Sequence, residues 1–201
     1  MELNKIYSDL LEKYSKQIDQ KDTFENRKCC CKKGCRGCCY QLIIISDFEK
    51  ELLRNTIISL PLNEQKILYK KVKSEIKKLR ENNLTYEYVT PTMPIEFVRG
   101  AQEKYFDLNI RCPFLRNDDS CSIYNNRPIS CMTYRNYGNP HDCVKNVFVK
   151  DSITFNDIEI DFALELLEKT GENLSGFNIL QNALYEIFMN MNIIKKLYFL
   201  I

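Results

Sequence analysis

The sequence predicts a mainly helical chain, a single domain with one small β-hairpin, organised around a cysteine-cluster metal site. Three observations predict it. Apolar residues recur at helical spacing in most of the long segments. Gly and Pro, six of each in 201 residues, are too sparse for a loop-rich or many-turned β protein. Ten cysteines are present, and six of them (Cys29, Cys30, Cys31, Cys35, Cys38 and Cys39) fall within eleven residues.

Leu3, Ile6, Tyr7, Leu10, Leu11, Tyr14 and Ile18 share one face of a core-covering amphipathic helix. Polar residues 19–28 lead from it to the cysteine stretch. The run Leu42-Ile43-Ile44-Ile45 is a strand or a buried connector, which periodicity does not separate. Ser46 and Glu49 form a Ser-x-x-Glu capping box, so a helix starts there with Phe48, Leu52, Leu53 and Ile57 inward. Pro61 ends or restarts it. The next helix spans about residues 62–79, burying Leu68, Val72, Ile76 and Leu79. Its lysines are interleaved with Glu64, Glu75 and Glu81, the pattern of a solvated face.

Residues 82–94 lack a period and are punctuated by Pro91 and Pro94, a loop. Residues 96–104 fit one short helix. Arg116-Asn117-Asp118-Asp119-Ser120 is turn chemistry between 105–115 and 121–124. It predicts the hairpin, with Cys112 and Cys121 on its two arms. A helical turn follows near Cys131. Residues 155–169 form another helix, with Gly171 just past its end. Phe177, Leu180, Leu184, Ile187, Phe188 and Met191 mark the last one. The domain covers residues 1–201: a metal-binding region at 28–143 with a helical insert at 46–82, flanked by helices in 1–27 and 151–201.

Lys and Arg number 29 against 27 Asp and Glu. That near-balance excludes the basic footprint of nucleic-acid binding. His141 is the only histidine, which excludes a multi-His catalytic metal site. No apolar signal region and no membrane-length apolar run occur, so no membrane association and a cytoplasmic location are expected. In that reducing compartment, clustered cysteines serve as metal ligands more often than as disulfides.

Two metal readings compete. Zinc takes four thiolates, commonly from cysteines two to four residues apart, and Cys31-x3-Cys35-x2-Cys38 has that spacing. Gly34 and Gly37 give the backbone room to turn. Cys112, Cys121, Cys131 and Cys143 supply distant ligands, since closing a long loop adds little entropic penalty. An iron–sulfur cluster needs the same thiolates, and soft sulfur accepts either. Lys28, Lys32, Lys33 and Arg36 would favour thiolate in both cases. Adjacent side chains diverge in a helix or a strand, so Cys38 and Cys39 serve one ion only on a bent backbone, or else two centres lie side by side. The metal ligands expected are therefore Cys31, Cys35, Cys38, Cys39, Cys112, Cys121, Cys131 and Cys143, with Cys29 and Cys30 as bystanders. The spacing also matches the cluster loop of radical S-adenosylmethionine enzymes, but the chain lacks their strand–helix rhythm.

Cys31-x3-Cys35-x2-Cys38-Cys39, Cys112-Pro113-Phe114-Leu115, Cys121-Ser122-Ile123-Tyr124 and Arg127-Pro128-x2-Cys131, in that order, resemble the CxxCxxCC cysteine-cluster family. Met132 stands where members carry Arg after the last of these cysteines. The resemblance implies a zinc- or iron-chelating domain. It also implies an alternative, because flagellin lysine-N-methylases are grouped there: an iron–sulfur-dependent protein-lysine methyltransferase using S-adenosylmethionine. A metal-binding protein, that enzyme, and a purely structural zinc staple are thus the three functions in play, with any protein partner left open.

Overall fold

A computed structural model describes residues 2–24, 28–84, 94–171 and 176–190. The chain is mainly helical, with two small antiparallel strand pairs. It divides into two compact units, Met1–Gln41 with Phe114–Leu174 and Leu42–Pro113 with Ser175–Ile201.

The first unit is built on α1 (Glu2–Phe24) and α7 (Asn156–Thr170). Tyr7, Leu10, Leu11, Tyr14 and Ile18 are buried, as their spacing requires. They meet Ile158, Phe162 and Leu166 of α7. The Phe162 ring receives Tyr7 edge-on at 5.3 Å and Tyr14 at 5.6 Å. The Tyr14 hydroxyl donates to Glu165 at 2.8 Å. α1 runs on from Ile18 into the polar segment, as far as Phe24, and Lys21 in its last turn pairs with Asp157. Charged residues are good helix formers, so polarity alone marked the wrong boundary. Gly171 ends α7 at φ +68, a left-handed position, and its N–H donates to the Leu167 carbonyl.

The rest of this unit is short pieces. There are 3-10 turns at Gly37–Tyr40 and Tyr124–Asn126, and helices α5 (Ile129–Thr133) and α6 (Asp142–Lys145). Strands β2 (Tyr134–Asn136) and β3 (Ser152–Thr154) pair antiparallel, with Arg135 opposite Ile153. The expected hairpin contracts to one bridge, Leu115 with Cys121. The Arg116 N–H to Ser120 (2.8 Å) and the Ser122 N–H to Phe114 (2.9 Å) flank it. Asp119, at φ +63, closes the turn. Cys112 is not on an arm, because Pro113 interrupts the approach and brings no N–H to a ladder.

In the second unit β1 (Ile44–Ser46) pairs antiparallel with β4 (Phe177–Ile179). The apolar run after the cysteines is thus a strand. Phe177 is in its partner, so the last helix, α8, begins at Leu180 and is described to Asn190. Met191 and residues 85–93 of the expected loop lie outside the described residues. α2 (Asp47–Ser59) opens on the capping box: the Glu49 N–H donates to Ser46 Oγ at 3.3 Å and the Ser46 N–H to the Glu49 carboxylate at 2.8 Å. α3 (Leu62–Glu81) follows Pro61 and buries Leu68, Val72, Ile76 and Leu79. α4 (Ile95–Asp107) is a turn longer than the sequence suggests. α8 packs on α2 and α3 with Leu184, Ile187 and Phe188 inward. Among the described residues no helix is long and apolar enough to cross a membrane.

Candidate metal centre

Nine of the ten cysteines belong to the first unit, and Cys112 belongs to the second. Residues 28–32 of the cysteine loop have no regular structure. The loop turns where the Cys35 N–H donates to the Lys32 carbonyl at 2.9 Å, with Gly34 at φ +90 inside the turn. Few side chains adopt that φ, so glycine is required there. The 3-10 turn Gly37–Tyr40 then carries Cys38 and Cys39.

Cys38, Cys39, Cys121 and Cys131 form one group. They come from the cysteine loop, the arm after the 116–120 turn, and α5. A hydrogen bond with the Cys39 thiol, followed by burial and the Cys39 charge, holds the Cys38 thiol well above its ordinary value. Burial raises Cys131, and the nearby charges of Cys38, Cys39 and Cys121 raise it further. Burial also raises Cys121, with Cys38 adding to it. Arg127 opposes the shift in all three, and Arg116 does so at Cys121. The Arg127 guanidinium is stacked 4.1 Å over the Tyr124 ring, which fixes it beside the sulfurs.

Cys29, Cys30, Cys31, Cys35 and Cys143 form the other group. Burial raises Cys30, and then Cys143, Cys29 and Cys35 do. Burial raises Cys31 as well, opposed by an N–H from Asn136 and reinforced by Cys29 and Cys30. Burial raises Cys143, opposed by hydrogen bonds from Tyr134 and Asn136 and reinforced by Cys35 and by Cys38 of the other group, so the two groups adjoin at Cys143. Asn136, fully buried in β2, is the hub. Its N–H donates to Cys31 Sγ at 3.3 Å and its Nδ2 to Cys143 Sγ at 3.2 Å. Its carbonyl accepts the Cys30 N–H at 2.8 Å. Gly37 lets α6 come close: a Cβ built there would fall 2.3 Å from Cys143 Cβ.

Among the described residues, no three His, Cys, Asp or Glu side chains stand close enough together to hold an ion. Within each group the thiols raise one another's pKa, Cys38 with Cys39, Cys121 and Cys131, and Cys30 with Cys29, Cys35 and Cys143. The donor chemistry fits a soft metal: sulfur only, at least four atoms per group, with arginine on one side and amide N–H groups on the other.

Seven of the eight expected ligands lie in these groups, and Cys112 is counted in neither. Cys30, which spacing set aside, is a neighbour of Cys143, Cys29 and Cys35, and Cys29 Sγ accepts the Cys31 N–H at 3.4 Å. The cations that act on the sulfurs are Arg127 and Arg116, not the lysines of the loop. Arg36 is paired with Asp119 at 3.0 Å, and Lys33 lies 5.9 Å over the Tyr124 ring. His141 is exposed at the start of α6. Asn136, Tyr134 and Arg127 were not anticipated, although Arg127 stands in the Arg-Pro motif.

Elsewhere in the first unit, a groove beside Tyr14 and Leu164 has its carboxylate Glu165 already paired with Lys13 and Lys169. In the second unit burial lifts the Glu75 carboxyl to about 8, against a hydrogen bond from Gln181 and the charges of Lys71 and Lys78. No family model, no curated protein and no solved structure matches the chain.

Proposed function

We propose that the first unit is a metal-binding module that holds zinc or an iron–sulfur centre through the thiolates of Cys38, Cys39, Cys121 and Cys131. The observation that carries this reading is the mutual neighbourhood of four cysteines drawn from three separated segments, with Arg127 beside them. Four half-buried thiols in one place repel once ionised, and a dication or a cluster removes that repulsion. The adjacent Cys38 and Cys39 thiols are hydrogen-bonded to each other on the 3-10 turn, which supports their serving one centre. The resemblance to the CxxCxxCC family points the same way, since its motifs contain all four residues.

Bound metal would cross-link the cysteine loop, the 116–120 turn and α5, and so contribute folding free energy to this unit. The test is metal analysis with an absorption spectrum on protein purified without oxygen. Colourless protein with one or more zinc ions, or brown protein with iron and sulfide, is expected. Loss of that metal in Cys131→Ser should follow in either case. Protein that carries neither metal, and takes up neither on reconstitution, sinks the reading. The methyltransferase alternative is tested on the loaded protein by calorimetry with S-adenosylmethionine, and absence of binding removes it.

A further inference from the structure

α7 is apolar on two opposite faces. Ile158, Phe162 and Leu166 are buried against α1. Ile160, Leu164 and Leu167 recur at i, i+4 and i+7 on the face turned away from it. Ile160 and Leu164, 59% and 60% exposed, are the two most exposed large apolar side chains among the described residues, and Leu167 is 39% exposed. A surface helix ordinarily sets one apolar stripe against a polar outer face. Single exposed apolar residues need no explanation, but a ridge of three on one helix marks a surface that something covers.

From this ridge and the open carboxylates along its flank, we propose that the outer face of α7 docks an amphipathic helix of a partner protein, one whose apolar stripe is edged by lysine or arginine. The proposal stands apart from the metal centre, since it uses no cysteine.

Charge selects the basic edge. Asp157, Asp161 and Glu168 lie along one flank of the ridge. Lys21 pairs with Asp157. Asp161 and Glu168 have no ion-pair partner among the described residues. They line the groove beside Leu164 together with Glu165, Lys13 and Lys169. Both of those lysines are already engaged by Glu165. The charge left open in the groove is therefore negative, and it runs alongside the apolar ridge. A lysine or arginine edge on the partner answers it and steers the encounter.

The same charges tell against a second copy of this chain. α7 carries five carboxylates (Asp157, Glu159, Asp161, Glu165 and Glu168) against the single Lys169. An antiparallel pair of such helices would bring Asp161 of one beside Glu168 of the other, like charge on like. The backbone argues for a helical partner. A helix bonds its own N–H and C=O groups internally and offers none to an added strand, so side chains alone recognise the partner. The ridge fits the groove between the side-chain rows of another helix.

The experiment uses the full-length protein as purified. The probe is a fluorescein-labelled leucine–lysine peptide of about 18 residues, long enough to hold a helix, with its leucines at i, i+3, i+4 and i+7. Fluorescence anisotropy should show saturable binding below about 1 mM, weakening as salt rises. A peptide of the same composition in shuffled order, and one with glutamate in place of lysine, should each bind roughly tenfold more weakly. Leu164→Gln and Ile160→Gln should each weaken binding roughly tenfold with the melting temperature unchanged. Both side chains are exposed, and either variant reports if the other fails to fold. Asp161→Asn combined with Glu168→Gln should weaken binding and flatten its salt dependence. Ile67→Gln, which removes an exposed isoleucine from α3, should bind as the unaltered chain does. Absence of saturation overturns the proposal, as does binding retained in both α7 variants or lost equally in Ile67→Gln. Equal binding of the glutamate peptide overturns the basic edge. Sedimentation of the unaltered chain as a dimer that Leu164→Gln turns into a monomer overturns the choice of occupant, because a second copy then covers the face.

Discussion

A Cβ added at Gly37 would meet Cys143 Cβ at 2.3 Å and its sulfur at 3.3 Å, whereas one added at Gly34 would meet nothing within 4 Å. The two glycines were read alike from the sequence, as freedom for the backbone, yet they answer different needs. Gly34 needs its φ of +90, and Gly37 needs its missing side chain. Gly34→Ala should therefore cost roughly 1 kcal/mol through backbone strain alone. Gly37→Ala forces a backbone shift and should cost about 1–3 kcal/mol, with reduced metal uptake as well. Denaturant unfolding and metal content measure both, and equal effects at the two positions would contradict this division. The cysteines announce themselves by residue type, so the seven candidate ligands in the two groups were named before any fold was known. Asn136 was not. Its part depends on an N–H, a side-chain amide and a carbonyl that face sulfurs only after β2 has formed.

α1 and α7 show which elements a sequence discloses. Each is long and carries a period that repeats several times, so the buried face of α1 was readable from Tyr7 to Ile18, whereas Leu3, expected on it, is 42% exposed in the first turn and Ile6 is half-buried. The pair is locked by Phe162, which takes two tyrosine edges from α1. Such contacts add about 0.5–1.5 kcal/mol each beyond the area they bury. Phe162→Ala should destabilise the first unit by about 3–5 kcal/mol, and thermal melting would register it. A loss under ~1 kcal/mol would mean that the two helices are held elsewhere. β2, β3 and β4 escaped, and β1 was left between strand and connector, because each is three residues long, too short to establish alternation. β1 at Ile44–Ser46 finds its partner at Phe177–Ile179, far along the chain, so no local signal marks the pairing. For the same reason the start of α8 was placed too early, at a phenylalanine whose apolar character suits either element.

At the scale of the molecule, the two units should respond to different agents. Removing metal takes folding free energy from the first unit only, so a chelator should lower one thermal transition and leave the other in place. The second unit should respond to alkali through Glu75. Its folded pKa, about 8, lies above the ordinary 4.5, so the fold favours the protonated form. The stability it contributes is complete below about pH 4.5 and is lost as pH rises through 8. Glu75 Oε2 and Gln181 Oε1 are both buried without a hydrogen-bond partner among the described residues, and a carboxyl proton supplies the donor they lack. Glu75→Gln keeps the shape and removes the charge. It should flatten that pH slope and raise stability at pH 8 by on the order of 1–3 kcal/mol. Calorimetric scans across pH, with and without chelator, check both halves. A single transition moved equally by both agents would tell against separate responses.

The order of the chain gives the discontinuous first unit a consequence during synthesis. Cys29 to Cys39 leave the ribosome before the whole 42–113 segment, and Cys121, Cys131 and Cys143 follow only after it. At roughly 5–20 residues per second, the early thiols wait several seconds or more for their late counterparts. For that interval the nascent chain exposes six neighbouring nucleophiles to any passing oxidant or stray ion.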